Sequence, residues 1–139
     1  MKRILLGSAS MLILAALASS LLLSGCFSFR KENNEKTLVQ LVDHMKKCGL
    51  NVESARPALY EMIMASDGLA LRVDGVDIQL FKYDTKIKQQ KDKLDKIYEN
   101  GIIIILGVEF FAKVNGSFLM LNYKGHPDEP KLIEAFNSF

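Results

Sequence analysis

The sequence is poor in the residues that mark several protein classes. Its 139 residues include only two cysteines, three prolines, two histidines and no tryptophan. A small secreted chain stapled by disulfides needs more cysteine, and a collagen-like repeat needs far more glycine and proline. With 49% of its residues apolar and 24% charged, the chain also differs from intrinsically disordered proteins. The composition is that of an ordinary globular chain with room for one domain.

The chain also lacks a large excess of charge of either sign. It has 18 basic and 16 acidic side chains, and Lys2 and Arg3 at the very start account for the difference. The remaining chain is neutral, whereas nucleic-acid binders gain most of their affinity from basic side chains that neutralise phosphates. We therefore expect no nucleic acid among the partners.

Sequence motifs of catalysis are missing as well. There is no Gly-x-Ser-x-Gly, no His-Glu-x-x-His, no Walker loop and no dinucleotide fingerprint. Paired carboxylates occur at Asp74 and Asp77, beside a predicted turn, and at Asp92 and Asp95, among the lysines of a predicted helix. Local structure explains both pairs, because catalytic carboxylates need surroundings that drive their pKa values apart. We expect no catalytic residues, no cofactor and no metal site, and hence no enzyme.

The amino-terminal 25 residues differ from the rest of the chain. Lys2 and Arg3 precede an uncharged stretch over 4–23 that is interrupted by Gly7 and several serines. A cationic start, an apolar middle and small residues at the exit make up a secretory signal. An uncleaved membrane anchor is the alternative, because a stretch of this length just suffices to span a bilayer.

The exit of the leader, Leu23-Ser24-Gly25-Cys26, resembles the lipobox of bacterial lipoproteins. The resemblance implies lipidation of Cys26, cleavage after Gly25 and a mature chain that begins at the lipidated cysteine. Two or three acyl chains hold a protein on a membrane effectively permanently, since each buried CH₂ contributes about 0.8 kcal/mol. Phe27 occupies the position where an Asp is the usual inner-membrane retention signal in diderm bacteria. We therefore expect an outward-facing lipoprotein, at the periplasmic side of the outer membrane if the host is diderm.

His44 and Cys48 are the one pair with metal-ligand chemistry at a suitable spacing. They lie four residues apart on a predicted helix, so their side chains share a face. Zinc usually takes three or four protein ligands, and the neighbouring sequence supplies no others. Cys48 also continues the apolar stripe of that helix, which favours core packing over a metal or redox role. With Cys26 lipidated, Cys48 is the only remaining thiol, to be either buried or joined in an intermolecular disulfide.

Hydrophobic periodicity and turn signals predict one α+β domain. We divide the chain into a signal peptide over 1–25, the lipidated cysteine with a polar tether over 26–34, and a single domain over 35–139. The predicted helices cover 35–48, 58–65 and 85–99, with a last helix from Pro130 capped by Asp128. A buried strand is the alternative for 58–65. The predicted strands cover 50–53, 69–73, 76–83, 102–106, 108–114 and 117–123. Asp74-Gly75 and Asn115-Gly116 favour type I′ hairpin turns, in which both central residues have positive φ.

These elements predict a small, mostly antiparallel sheet with three main helices packed on one face. The sheet combines two β-hairpins with one strand, 102–106, whose five consecutive aliphatic residues are typical of burial on both faces. The stretch over 57–85, followed by a lysine-rich helix, is similar to a pattern in small bacterial lipoproteins without an assigned activity. That similarity supports the fold and implies no chemistry.

The side chains that could contact a partner are aromatic or basic. The aromatic residues of the strands are expected in the core, or in a partner-binding patch if one face of the sheet is uncovered. These aromatics are Phe81, Tyr83, Phe110, Phe111 and Phe118. The lysines of the predicted helix over 85–99 are expected to form a solvated face, because acids on the same helix dilute their charge, with contact to anionic lipid headgroups as the alternative. These lysines are Lys86, Lys88, Lys91, Lys93 and Lys96.

The anchor, the short tether and the missing reaction centre favour a lipid-anchored, extracytoplasmic, non-catalytic binding module of the bacterial envelope. Its expected partners are the membrane, through the acyl chains on Cys26, and a protein at or near the same membrane. The alternative is an inhibitor or immunity-type lipoprotein that blocks an incoming protein or enzyme.

Overall fold

The computed structural model describes residues 31–139, so the predicted signal peptide, the lipobox and Cys26 lie outside the described residues. The helices are α1 (Leu38–Lys47), α2 (Lys88–Asn100) and α3 (Glu129–Asn137), with one short 3₁₀ helix (Glu61–Ile63). The strands are β1 (Val52–Pro57), β2 (Asp67–Val73), β3 (Val76–Lys82), β4 (Ile102–Ile105), β5 (Val108–Asn115) and β6 (Phe118–Leu121). Neighbouring strands pair antiparallel in the order β1-β2-β3-β6-β5-β4. The predicted α+β class, with three helices and an antiparallel sheet, is confirmed.

The three helices divide between the two faces of the sheet, where the sequence predicted one face. Helices α1 and α3 cover a core that includes Leu80 and Met120, which pair across β3 and β6. On the opposite face, α2 packs on a second core that includes Phe81 and Leu119, the next pair along the same two strands. Because β3 and β6 carry apolar side chains on both faces, each face needs a cover.

Strand β4 lies at the edge of the sheet and is not buried on both faces as predicted. It pairs with β5 through a two-residue turn, Leu106-Gly107, that the sequence did not predict. Ile103 is buried against the α2 core, but the side chain of Ile104 is 64% exposed. An aliphatic run indicates a strand but carries no information about the strand's position in the sheet.

The two predicted hairpins form, but only one has the predicted turn. Asp74 and Gly75 have φ values of 48° and 79°, which confirms a type I′ turn between β2 and β3. Between β5 and β6, Asn115 pairs with Phe118, so the central residues are Gly116 and Ser117. Only Gly116 has a positive φ, 59°, which is typical of a type II′ turn and shifts the predicted turn by one residue.

The last residues predicted as tether belong to the folded body. Asn33 is 1% exposed, and its side-chain oxygen accepts a hydrogen bond from the backbone N–H of Ser117 at 2.8 Å. Lys82 donates to the backbone carbonyl of Asn33 and to the hydroxyl of Ser117, and burial lowers the pKa of Lys82 to about 8. Asn34 bonds to Asp84 in the same region. The body therefore begins at Asn33, because buried polar contacts fix this residue, and the chain enters the body at the β5–β6 turn.

Candidate interaction surface

Four exposed apolar side chains cluster on the hairpin formed by β4 and β5. Leu106 is 86% exposed, Ile104 64%, Phe111 57% and Val108 55%. Ile104 and Phe111 lie on the sheet face that α1 and α3 cover further along, over β1, β2, β3 and β6, and the exposed Glu109 pairs with Ile104 on this face. Val108 lies on the opposite face, and Leu106 lies at the tip between the two faces. We name these four residues the hairpin patch. Several exposed apolar side chains on one hairpin at the end of a small domain are typical of a binding surface.

The backbone at the tip of this hairpin is strained. Leu106 has a φ of 49°, and with Gly107 at 78° it forms a type I′ turn. Asp74, at the equivalent position of the β2–β3 turn, is one of the residue types this conformation favours. A leucine there costs about 1–2 kcal/mol in backbone strain. The Leu106 side chain is exposed, so packing within the domain does not offset this cost. Strained residues of this kind cluster at functional sites.

Two further residues with positive φ lie beside the hairpin. Met64 has a φ of 63° and Asn122 a φ of 61°. Met64 lines a groove between α2 and β4, and Asn122 lines a second groove between the segment 57–63 and the β4–β5 hairpin. Of the non-glycine residues with positive φ in the described part of the chain, only Asp74 lies elsewhere. Of these residues, Leu106 and Met64 are types that positive φ disfavours, whereas Asn122 adopts it readily.

The first of these grooves, which we name the helix–edge groove, is open and has a volume of about 490 Å³. Its floor is apolar and is formed by Met64, Ile97 and Ile103. Its wall is a polar stripe of α2 at helical spacing, composed of Gln89, Lys93, Lys96 and Asn100. One side of the groove is the open edge of β4.

The wall of the helix–edge groove carries a net positive charge. Asp92 also lines the groove, but Lys88 donates to it at 2.5 Å, and this hydrogen bond holds the pKa of the Asp92 carboxyl below its ordinary value. No ion pair within 4 Å involves Lys93 or Lys96 in residues 31–139, although the charge of Lys96 also acts on Asp92 and helps to lower its pKa. The prediction of a uniformly solvated lysine face is therefore incomplete, because two of these lysines border an apolar groove.

The second groove lies on the same face of the sheet as α2 and has a volume of about 360 Å³. Its lining is largely apolar and includes Leu59, Met62, Ile105 and Phe110. Leu59 and Met62 are exposed. Apolar surface therefore continues from the hairpin patch across the end of the sheet.

The aromatic side chains of the strands divide between core and surface. Phe81, Tyr83 and Phe118 are buried, and burial raises the pKa of the Tyr83 hydroxyl, which donates to the carbonyl of Ile63 at 3.0 Å. Phe110 is half-buried and Phe111 is exposed. Of the five strand aromatics, three are in the core as expected, and Phe111 alone is exposed, at the end of the sheet formed by β4 and β5.

The predicted His44 and Cys48 pair does come together on α1. The Nε2 atom of His44 lies 3.5 Å from the Sγ atom of Cys48 and 2.9 Å from the hydroxyl of Ser138. Ser138 also donates to the carbonyl of Ala135, and Cys48 is half-buried against the core of α1 and α3. These contacts join the end of α3 to α1. Residues 31–139 contain no group of three or more His, Cys, Asp or Glu residues that could hold a metal ion.

The paired carboxylates also lie in structural ion pairs. Asp77 contacts Arg56 at 3.2 Å and Arg72 at 3.4 Å, while Asp74 belongs to the β2–β3 turn. Asp95 pairs with Lys91 at 2.7 Å, four residues earlier on α2. Each acid therefore has a local structural explanation.

In the described range, no helix combines the length and the apolar character needed to cross a bilayer. No protein family model matches the chain, and no curated protein and no solved structure is significantly similar to it.

Proposed function

We propose that this protein is a lipid-anchored, extracytoplasmic, non-catalytic binding module of the bacterial envelope, and that the hairpin patch is its binding surface. The observation that carries the binding role is Leu106, an exposed leucine held at positive φ on a hairpin tip. Strain of this kind persists when another requirement selects the residue, and here contact with a partner supplies one. The lipobox that ends at Cys26 supports the anchoring.

The fold would place the binding surface away from the anchor. The chain enters the body at Asn33, beside the β5–β6 turn, while Leu106 lies at the other end of β5. The eight residues of β5 span roughly 25 Å. Since only a few residues join Cys26 to Asn33, a lipidated chain would stand on the membrane with its hairpin patch facing outward.

An inhibitor or immunity-type lipoprotein is the second candidate function, and the shape of the β4–β5 hairpin favours it. A narrow turn with an apolar tip can enter the cleft of an incoming protein, and the tip here is Leu106-Gly107. Deletion of the protein would then sensitise the host to a toxin or lytic enzyme. A resident binding module predicts unchanged sensitivity and capture of an envelope protein of the host.

Site-specific photo-cross-linking in intact cells tests the binding role. We expect a photoreactive amino acid in place of Leu106 to capture one specific protein. The control is the same amino acid in place of Val39, which is also exposed and apolar but lies on α1. Capture at both positions alike, or at neither, would contradict the assignment of the hairpin patch.

Replacing Leu106 with asparagine should raise stability and lower binding. Asparagine adopts positive φ more readily than leucine, so the free energy of unfolding should rise by about 0.5–1 kcal/mol. Partner capture by a photoreactive residue at Phe111 should fall at the same time, because the tip side chain is lost. Urea unfolding and cross-linking yield measure the two effects. Val39→Asn is the control, and we expect it to leave capture unchanged; a Leu106→Asn variant that kept full capture would exclude the tip from the interface.

A further inference from the structure

We propose that the open edge of β4 binds an extended segment of a protein partner that alternates apolar and acidic residues, as an added strand of the sheet. This inference rests on the proposed function and specifies the chemistry of the partner. It combines three observations. The backbone of β4 is unpaired at the edge of the sheet, apolar side chains lie on one face of that edge, and Lys93 and Lys96 of α2 lie on the other face.

The backbone of β4 offers hydrogen-bonding groups at the open edge. The N–H of Ala112 donates to the carbonyl of Gly101 at 2.9 Å, which makes these two residues a hydrogen-bonded pair of the ladder. Because such pairs alternate along an antiparallel ladder, Ile103 and Ile105 also bond toward β5. The N–H and C=O groups of Ile102 and Ile104 therefore point away from the sheet.

Strand β4 is short, but it carries neither the charge nor the proline that commonly protect an edge. Its four residues are all isoleucine, with no charge and no proline. The opposite edge of the sheet, β1, contains Arg56, which pairs with Asp77, and ends at Pro57. Proteins usually block exposed edges with charge or proline to prevent strand addition. The unprotected edge therefore marks β4 as the place where a strand is added.

The surroundings of β4 define the side chains that an added strand should carry. On one face, its side chains would lie directly beside Ile102 and Ile104, so apolar residues fit there. Phe111 and the exposed Glu109 lie one strand further in, on β5. On the other face they would enter the helix–edge groove, where Lys93 and Lys96 line the wall. A glutamate at these positions places its methylene groups over the apolar floor and its carboxylate near the lysines.

A second copy of this chain fits the edge less well. Pairing of β4 with its own copy about a two-fold axis would place both α2 helices on the same face of the joined sheet. The walls that carry Lys93 and Lys96 would then face each other, with like charges side by side. An acidic partner segment avoids this repulsion.

Binding of designed peptides to the full-length protein, purified from membranes in detergent, tests the proposal. The probe is a capped, fluorescent peptide that alternates valine with glutamate, and the matched probe has lysine in place of glutamate. At low salt we expect the glutamate peptide to bind at least about tenfold more tightly, with the preference shrinking as salt is added. Fluorescence anisotropy measures both affinities.

Two variants separate the backbone contribution from the charge contribution. Ile104→Pro removes an N–H that faces the open edge, so the ladder with β5 stays intact while peptide binding is lost. Lys93→Glu combined with Lys96→Glu should reverse the preference in favour of the lysine peptide. Lys46→Glu combined with Lys47→Glu, on the exposed side of α1, is the charge control and should leave the preference unchanged.

Several outcomes would overturn the inference. Equal affinity for the two peptides would show that Lys93 and Lys96 do not select acidic residues. Undiminished binding by Ile104→Pro would show that the peptide does not pair with β4 as a strand. If the protein dimerises and Ile104→Pro abolishes the dimer, the edge binds a second copy. If the protein binds phosphatidylglycerol vesicles and the Lys93→Glu, Lys96→Glu variant does not, the two lysines bind lipid. If neither peptide binds while Leu106 still captures a protein in cells, strand addition is wrong and the proposed function stands.

Discussion

Replacing Gly116 with alanine should destabilise the protein several times more than the same replacement at Gly75. Both glycines have positive φ, 59° and 79°, so both substitutions introduce backbone strain of about 1–2 kcal/mol. A Cβ atom at Gly75 would meet nothing within 4 Å. At Gly116 it would collide with the side-chain oxygen of Asn33 and would lie 2.6 Å from the backbone carbonyl oxygen of Lys31.

The collision at Gly116 would displace the segment that joins the body to its tether. Asn33 would lose its hydrogen bond to the buried N–H of Ser117, and an unsatisfied buried donor costs about 1–3 kcal/mol. We therefore expect Gly116→Ala to lower the free energy of unfolding by about 3–5 kcal/mol, against about 1–2 kcal/mol for Gly75→Ala. Urea denaturation of the two variants under the same conditions measures the difference.

A double-mutant cycle shows whether Asn33 is the cause. In an Asn33→Ala background, Gly116→Ala should cost less than in the wild-type background, because the Asn33 side-chain atoms with which the Cβ collides are gone and only the contact with the Lys31 carbonyl oxygen remains. Equal losses at Gly75 and Gly116 in the wild-type background would mean that residues 31–34 do not dock on the β5–β6 turn. The outward orientation of the hairpin patch depends on this docking, so the cycle also tests that part of the proposed function.

Local sequence signals predicted the parts of the fold that local interactions determine. Helix α1 was predicted over 35–48; it begins three residues later, at Leu38, because Thr37 and Gln40 form a capping box, in which each side chain bonds to the other residue's backbone N–H. The type I′ turn at Asp74-Gly75 likewise depends on the conformational preferences of two adjacent residues. Features of this kind are encoded within a few positions, so a single sequence suffices to predict them.

The position of β4 depends on pairing between distant segments and was not predictable in the same way. Five aliphatic residues over 102–106 look the same in a central strand as in an edge strand followed by a turn. The useful signal was Gly107, because a glycine after an aliphatic run can close a hairpin with the preceding residue at positive φ. Leucine is rare at that position, so residue preferences for turns did not predict the Leu106-Gly107 turn, where the candidate site lies.

The candidate site was predictable in composition but not in location. The sequence predicted the strand aromatics in the core, or in a patch if one sheet face were uncovered, and the structure exposes one of them, Phe111, which pairs with Ile102. Lys93 and Lys96 were expected on a solvated helix face. They border the helix–edge groove because Leu94 and Ile97 pack into the core beneath α2, which places the neighbouring lysines beside β4. Which polar residues end up beside an open strand edge depends on the tertiary packing of α2.

Replacing Cys26 with serine should abolish acyl labelling and release or mislocalise the protein. The lipobox resemblance assigns the diacylglycerol to the thiol of Cys26, and two or three acyl chains provide nearly all the membrane affinity of such a protein. Incorporation of labelled palmitate, together with fractionation of membranes and soluble material, measures both effects. The control is Cys48→Ser, which changes the only other cysteine and should retain the label and the membrane location.

The same variant links anchoring to binding. Without lipid, the hairpin patch keeps its contacts but loses the high effective concentration that confinement at the membrane provides, so capture through Leu106 should fall in cells. Purified Cys26→Ser protein should still bind the partner, because Asn33 and the β5–β6 turn hold the fold without the anchor. Persistent acyl labelling of Cys26→Ser would contradict the lipoprotein proposal. Undiminished capture by an unlabelled, released protein would instead show that binding through the hairpin does not depend on the membrane.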